Sequence, residues 1–335
     1  MSNPSVSAGN IKTISVFGAG SWGTALAIYL ARKAYSVMLW HNVPQDVARM
    51  NEVRQNEVFM PGIEFPPSLV CVDSLQEAVE KADLLLIVVP SKVFRSVLNQ
   101  IKPYVKKHQP IIWATKGVDA ESGQLMDGVA EEIFGQEAIL GVLSGPNFAV
   151  EVAQGLPAAS TLACCHQDAL PALCQVFESD LMQIDGSDDM TGAEVGGVVK
   201  NVIAIAVGIC DGLKLGANAR AALMTRGLEE MLCLGKALGA KEETIMGLAG
   251  VGDLILTCTD DKSRNRRFGL LLGQGKSADE ALKIIGQVVE GYANVQEVKT
   301  LAKRMNVHMP IVETVFEMIQ HPIDPNRVAL TLLQH

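Results

Sequence analysis

Ile14-Ser-Val-Phe17-Gly18-Ala-Gly20-Ser-Trp-Gly23-Thr24-Ala-Leu-Ala-Ile-Tyr-Leu-Ala-Arg32 joins an apolar strand to a helical run through three glycines spaced GxGxxG. The string says little by itself in a chain with 30 glycines, so its place between strand and helix carries the argument. Gly18 permits the tight turn, Gly20 lets the backbone approach a pyrophosphate, and Gly23 lets helix and strand pack closely. The helix start then offers free N–H groups and a partial positive charge to an anion. The stretch reads as a turn that binds a dinucleotide.

Working outward, short apolar runs alternate with helical segments: Thr13 to Phe17, Ser36 to Trp40, Ser68 to Val72, Asp83 to Val89, Pro110 to Ala114 and Ile139 to Leu143. That alternation predicts an α/β, Rossmann-type doubly wound and mostly parallel sheet. Leu84 to Val89 is unbroken apolar sequence, as expected of a strand covered on both faces. Ser74-x-x-Glu77 has the form of a capping box and predicts a helix start. Ser160 to Cys164 and Leu181 to Ile184 extend the sheet, and Asp185-Gly-Ser-Asp-Asp189 reads as a polar turn. Beyond it seven helical segments, from Gly192 to Ile319, predict an all-α C-terminal domain. The expected organisation is a loose leader over 1–10, a dinucleotide-binding domain over 11–189 and a helical substrate domain over 190–335.

With 335 residues, 48% hydrophobic and 19% charged, the chain has the composition of a folded protein of two cores. A net charge of −9 argues against nucleic acid or an anionic membrane surface as partner, so an anionic ligand needs a local basic pocket. The seven cysteines show no CxxC pair and no metal-ligand spacing, so no metal is expected and reduced thiols in a cytoplasm fit. Met1 to Asn10 lacks the basic and apolar regions of a signal peptide. Val195 to Cys210 is shorter than a membrane span, carries Lys200 and Asn201, and reads as a buried helix.

A charge inside an apolar run costs several kcal/mol, to order of magnitude, unless it is paired, so such positions are informative. Lys116 follows Ile111-Ile-Trp-Ala-Thr115 at the carboxyl end of a strand, where open α/β sheets bind ligands. Lys200 sits in Val195-Gly-Gly-Val-Val-Lys-Asn-Val, over Gly196 and Gly197 one turn back, a bare patch that another molecule can approach. The bland alternative is a lysine snorkelling to the surface. Asp253, in Leu248-Ala-Gly-Val-Gly-Asp-Leu, can pair with Lys200. Ser263-Arg264-Asn265-Arg266-Arg267 is a dense basic cluster suited to phosphate, or else a solvated helix start whose positive charge opposes the dipole. Five of the six histidines lie in polar or terminal settings, which leaves Lys200 as the best-placed acid, its pKa drawn down by burial. The second strand ends Trp40-His41-Asn42 without the acid that usually binds a ribose 2′-hydroxyl. His41 or Asn42 can donate to a 2′-phosphate, so NADPH is expected to be accepted or preferred; the alternative is that Asp46 reaches the ribose.

Taken together, Gly18 to Ala27, Trp113-Ala-Thr-Lys-Gly117, Ser144-Gly-Pro-Asn-Phe-Ala149, Val199-Lys-Asn-Val-Ile-Ala204, Gly250-Val-Gly-Asp-Leu254, Ser263 to Phe268 and Gln287-Val-Val-Glu-Gly291 resemble the bacterial NAD(P)-dependent glycerol-3-phosphate dehydrogenases. The resemblance runs from Ile11 to about Leu333. It implies that Ser21, Trp22, Ala149, Arg264, Val288 and Glu290 contact the cofactor, NADPH or NADH. Lys116, Gly145 and Asn147 would border both ligands, Lys200 would exchange the proton with Asp253 beside it, and Ser263, Arg264 and Asn265 would form the glycerol phosphate site. It also implies a homodimer and a product that feeds phospholipid synthesis. The family often has Ser or Thr where Asn147 stands, and the His41-Asn42 pair departs from its usual form. The expected reaction is reduction of dihydroxyacetone phosphate to sn-glycerol 3-phosphate. Two other readings are a lysine-dependent reductase of the β-hydroxyacid dehydrogenase kind and a dinucleotide sensor without chemistry. The basic cluster disfavours the first, and the buried charges disfavour the second.

Overall fold

The computed structural model describes residues 8–320. The chain forms two compact units. The first runs to Thr115 and resumes over Met126–Met190, and the second comprises Lys116–Leu125 and the chain from Thr191 onward. A continuous first domain to 189 therefore overlooks Lys116–Leu125, whose Val118 and Leu125 are buried in the core of the helical unit.

In the first unit an eight-stranded sheet contains β1 (Thr13–Phe17), β2 (Ser36–Trp40), β3 (Leu69–Val72), β4 (Leu84–Ile87), β5 (Ile111–Trp113), β6 (Leu140–Ser144), β7 (Ala158–Cys164) and β8 (Met182–Ser187). Its order is β3-β2-β1-β4-β5-β6-β7-β8, and every neighbouring pair is parallel except β6 with β7. All four side chains of β4 are fully buried, as the unbroken apolar run requires of a strand with helices on both faces. The strand order reverses between β1 and β4, so the glycine turn after β1 lies at the topological switch point, where such sheets bind ligands.

Three local expectations change. Asp185, Gly186 and Ser187 are not a turn but the end of β8, paired with Thr161, Leu162 and Ala163 of β7. Ladder hydrogen bonds from a neighbouring strand outweigh their weak strand propensity. Ser74 does cap the helix Leu75–Lys81 by accepting the Glu77 N–H, but the Glu77 carboxylate pairs forward with Lys81. The reciprocal box forms instead at Ser277 and Glu280. Of the expected leader, Ala8–Asn10 forms a short 3-10 turn, and residues 1–7 lie outside the described residues.

The second unit is built around the helix Met190–Gly212, whose 23 residues are long and apolar enough to cross a membrane by length and composition. Here its apolar window is wholly buried. It runs past both ends of the apolar stretch that marks it in the sequence. Backbone packs directly onto it through small residues. A Cβ added at Gly208 would lie 2.0 Å from the Arg266 carbonyl oxygen, and one at Gly269 would lie 2.0 Å from that of Ile205. Gly212 and Gly273 repeat the arrangement one turn later, so any side chain at these four positions would force the helix Arg264–Gly273 off the core helix. This close crossing fixes the start of Arg264–Gly273, where the basic cluster sits.

Candidate active site

The glycine turn has the geometry its spacing predicts. Gly18 adopts φ +113°, and a Cβ there would lie 2.4 Å from the Val88 carbonyl oxygen just after β4. A Cβ on Gly23 would lie 1.9 Å from the Gly18 oxygen. Gly20 differs, because nothing stands within 4 Å of the position its Cβ would take. The helix Ser21–Arg32 begins at Gly20 without a side-chain cap, so the N–H groups at its start are left for an anion. An open cradle and an uncapped helix start at the switch point fit the pyrophosphate of a dinucleotide.

His41 and Asn42 follow β2, with Phe17 and Trp40 in register and the Gly18 N–H donating to the Trp40 oxygen. They stand where the ribose-binding acid of such folds stands. His41 Nε2 lies 3.1 Å from an Asp46 carboxylate oxygen, so Asp46 is held on the imidazole. Also in this unit, Gly145 lets its chain close on β7, since a Cβ there would lie 2.8 Å from Ser160 Cα. Asn147 Nδ2 donates to Ala159 O at 3.0 Å and to Ser160 Oγ at 2.7 Å, while its Oδ1 is buried without a partner. A buried carbonyl oxygen of this kind is ready to accept from a ligand hydroxyl or amide. Ala149 begins the helix Ala149–Gln154 half-buried.

In the second unit the misplaced charges meet. The Asp253 carboxylate receives Lys116 Nζ at 2.5 Å on one oxygen and Lys200 Nζ at 3.1 Å on the other. Thr257 Oγ1 accepts from Lys200 Nζ at 2.8 Å and donates to Asp253 Oδ1 at 3.2 Å. Asp253 is 2% and Lys200 8% exposed, so these are interior groups. Burial pulls the Lys200 ammonium below the usual lysine range and the nearby Lys116 charge adds to this, against the opposing pull of Asp253. Burial alone would raise the Asp253 pKa, but the two ammonium groups outweigh it and hold the carboxyl below its ordinary value. The bare patch expected over Gly196 is filled by the chain itself, since a Cβ on Gly196 would lie 2.4 Å from the Ala249 carbonyl oxygen. That contact brings the π turn Leu248–Gly252 against the core helix and delivers Asp253 to Lys200.

Thr257 escapes a reading of the sequence because Asp253–Thr259 is itself a helix, disguised by the glycines before it. Four residues apart on one helix, Asp253 and Thr257 share a face, which was the signal available. Asn201, next to Lys200, is the other omission. It is 1% exposed, donates to Glu290 Oε2 at 3.1 Å and accepts from Asn265 Nδ2 at 2.7 Å. Asn265 also accepts the Gly291 N–H at 2.9 Å, so its amide ties three helices together and has one N–H left for a ligand. Val288 is 53% exposed and takes no part in this network.

The basic cluster divides in a way its composition hides. Arg266 is bound by Asp211 at 2.7 Å and by Asp261, and Asp211 also holds Arg220. Much of the anion that the helix start called for is thus the chain's own. Ser263 caps that helix by accepting the Arg266 N–H at 3.2 Å, which leaves its hydroxyl hydrogen to donate. Arg264 is half-buried and, among the described residues, has no ion-pair partner.

A dinucleotide turn in one unit and, in the other, a buried, acid-held lysine and an arginine with no ion-pair partner among the described residues fit a nicotinamide-dependent dehydrogenase. The chain belongs to the NAD-dependent glycerol-3-phosphate dehydrogenase family: residues 13–170 match the model of its N-terminus and residues 189–329 that of its C-terminus. It is 50% identical over 322 residues to a glycerol-3-phosphate dehydrogenase [NAD(P)+] of Vibrio vulnificus (strain YJ016), covering 96% of this chain and 93% of the relative. A Bartonella tribocorum enzyme of the same name is 50% identical over 326 residues, with 96% and 98% covered. The crystal structure of glycerol-3-phosphate dehydrogenase from Coxiella burnetii superposes with a TM-score of 0.93 at 43% identity, over 97% of this chain and 99% of that one. A D-mandelate dehydrogenase with TM-score 0.60 at 14% identity shares the fold alone.

Proposed function

We propose that this chain catalyses the NAD(P)H-dependent, reversible reduction of dihydroxyacetone phosphate to sn-glycerol 3-phosphate, and that the product supplies phospholipid synthesis. The observation that carries the reading is the buried Lys200–Asp253–Lys116 cluster, a net positive site whose lysine is primed to give up a proton. The dihydronicotinamide, when bound, supplies the hydride. Lys200 Nζ donates its proton to the alkoxide that forms at C2, and recovers it in the reverse direction. Burial makes the resulting neutral amine tolerable, so proton transfer to substrate is easier than from an exposed lysine. Asp253 and Thr257 hold Nζ in place, and Lys116 adds positive charge where the oxyanion develops.

Arg264 is the cation for the substrate phosphate, with Ser263 and the remaining Asn265 N–H beside it, and Asn147 Oδ1 accepts from a ligand donor. Ser21, Trp22 and Gly20 bind the pyrophosphate side of the cofactor, His41 and Asn42 its ribose, with NADPH accepted alongside NADH. Ala149, Gly145, Val288 and Glu290 complete the cofactor contacts that the family resemblance implies. A homodimer and a cytoplasmic setting belong to the same proposal, and the free state of every described cysteine suits a reducing compartment. Following NADPH absorbance with dihydroxyacetone phosphate as acceptor tests the reaction. Rapid dihydroxyacetone phosphate-dependent loss is expected, whereas turnover of 3-hydroxyisobutyrate but not of the phosphorylated substrate would replace this reading.

A further inference from the structure

Asn56 lies after the helix Pro44–Val53, far from the glycine turn in sequence, and is 3% exposed. Both ends of its amide are used. Nδ2 donates to the Ala19 carbonyl oxygen at 2.9 Å and to Thr24 Oγ1 at 2.9 Å, and Oδ1 accepts the Phe59 N–H at 3.1 Å. Ala19 is the residue between the first two glycines of the turn. A trans peptide is planar, with its C=O and N–H pointing in opposite directions, so holding the Ala19 oxygen also aims the Gly20 N–H. Glycine at position 20 brings no side chain that could set this direction by packing, and nothing stands within 4 Å of where its Cβ would be. The second bond, to Thr24, fixes the residue whose N–H makes the helix's first turn with the Gly20 oxygen at 2.9 Å.

From this arrangement we infer that Asn56 is a positioning residue for the dinucleotide: it orients the Ala19–Gly20 peptide so that the Gly20 N–H and the uncapped helix start point together at the pyrophosphate. The inference rests on the glycine turn being the cofactor site. Asn56 touches no reacting atom, and its effect falls on the adenosine diphosphate half of the cofactor and not on the chemistry. A packing role alone predicts something different, because Asn56→Asp keeps the size of the side chain and the acceptor for the Phe59 N–H while removing both donors.

The test is calorimetric binding of NADPH and of ADP-ribose to the full chain, wild type, Asn56→Asp and Asn56→Ser, with steady-state kinetics alongside. Both variants are expected to weaken both ligands by about tenfold or more, with the KM for dihydroxyacetone phosphate and the kcat at saturating NADPH within about twofold. Wild-type affinity for ADP-ribose in folded Asn56→Asp or Asn56→Ser overturns the role. Should neither variant fold, hydrogen exchange on the wild type decides. Protection gained on ADP-ribose binding by both segments 18–24 and 54–60 supports the coupling, and protection confined to 18–24 overturns it. Failure of the wild type to bind ADP-ribose would instead remove the cofactor assignment of the turn, an outcome distinct from failure of Asn56.

Discussion

The two units prepare for their ligands in opposite ways. Around the glycine turn the sheet unit offers bare backbone: no cap on the helix Ser21–Arg32 and open space at Gly20. The helical unit offers charges that are already paired, with Lys116 and Lys200 on Asp253 and Arg266 on Asp211, leaving Arg264 without an ion-pair partner among the described residues. A pyrophosphate carries its own full charge, so N–H groups and a helix dipole suffice to hold it. A carbonyl becomes anionic only as it reacts. Its partner must therefore be fixed beforehand, and a buried lysine is fixed only by groups that satisfy it.

The sharpest way to break this contrast is to remove one element from each unit. Lys200→Ala should lower kcat by about 10²- to 10⁴-fold with the dissociation constant for NADPH nearly unchanged. Gly20→Val should do the reverse, raising the KM for NADPH by about tenfold or more while leaving thermal stability intact. Gly20 has φ −75° and nothing within 4 Å of where a Cβ would lie, so the backbone accepts a side chain there. If Lys200→Ala retained wild-type turnover, the lysine would not be the proton donor. The pH profile sharpens the point. Because the Lys200 pKa is lowered, the reduction rate should fall as pH rises through a value below the usual lysine range, and the oxidation rate should rise over the same interval.

Under the proposed function the two arginines divide between binding and support. Arg264→Met is expected to raise the KM for dihydroxyacetone phosphate by about 10- to 100-fold without lowering the Tm, since it breaks no ion pair. Arg266→Met should destabilise the chain by about 1–2 kcal/mol, because it leaves the half-buried Asp211 with Arg220 alone. Urea unfolding and substrate kinetics on both variants check the division, and equal loss of stability in the two would erase it.

A smaller effect lies away from either site. Glu230 is buried and accepts the Ile311 and Val312 N–H groups at the start of the helix Pro310–Gln320. Burial pushes its carboxyl up to about 7, against the pull of those two N–H groups, with Glu313 adding to the rise. A raised folded-state pKa means the contribution is complete below the unfolded value and is lost as pH rises through about 7. The helical unit should lose up to about 3 kcal/mol between pH 4.5 and pH 8, to order of magnitude, and Glu230→Gln should flatten that slope. Equal slopes for the two proteins in denaturant titrations at several pH values would contradict it.

What could be read from the residues alone follows a physical divide. Apolar runs such as Leu84 to Ile87 announce strands because burial on two faces leaves no room for polar residues, and Lys200 announces itself because nothing in packing explains it. Asp253–Thr259 was hidden because Gly250 and Gly252 look like a loop, when Gly250 is in fact required by contact with the Ile245 backbone, at 1.9 Å from where its Cβ would lie. The strand ending at Ser187 was hidden for the opposite reason: its residues are turn-like, and only the neighbouring strand makes them extended.

Sequence by itself determined the alternating α/β half, the helical half and the glycine turn between strand and helix, and it marked out the buried charges, since periodicity, glycine spacing and misplaced charge are local properties. Beyond the Lys200–Asp253 pair, which polar group answers which was decided only by the tertiary structure. Asn201 meets Glu290 and Asn265 across 89 and 64 residues, Asn56 reaches Ala19 across 37, and Asp211 takes Arg266 out of the basic cluster. Pairing depends on distance in space, and a side chain's function depends on which of its neighbours has already satisfied it.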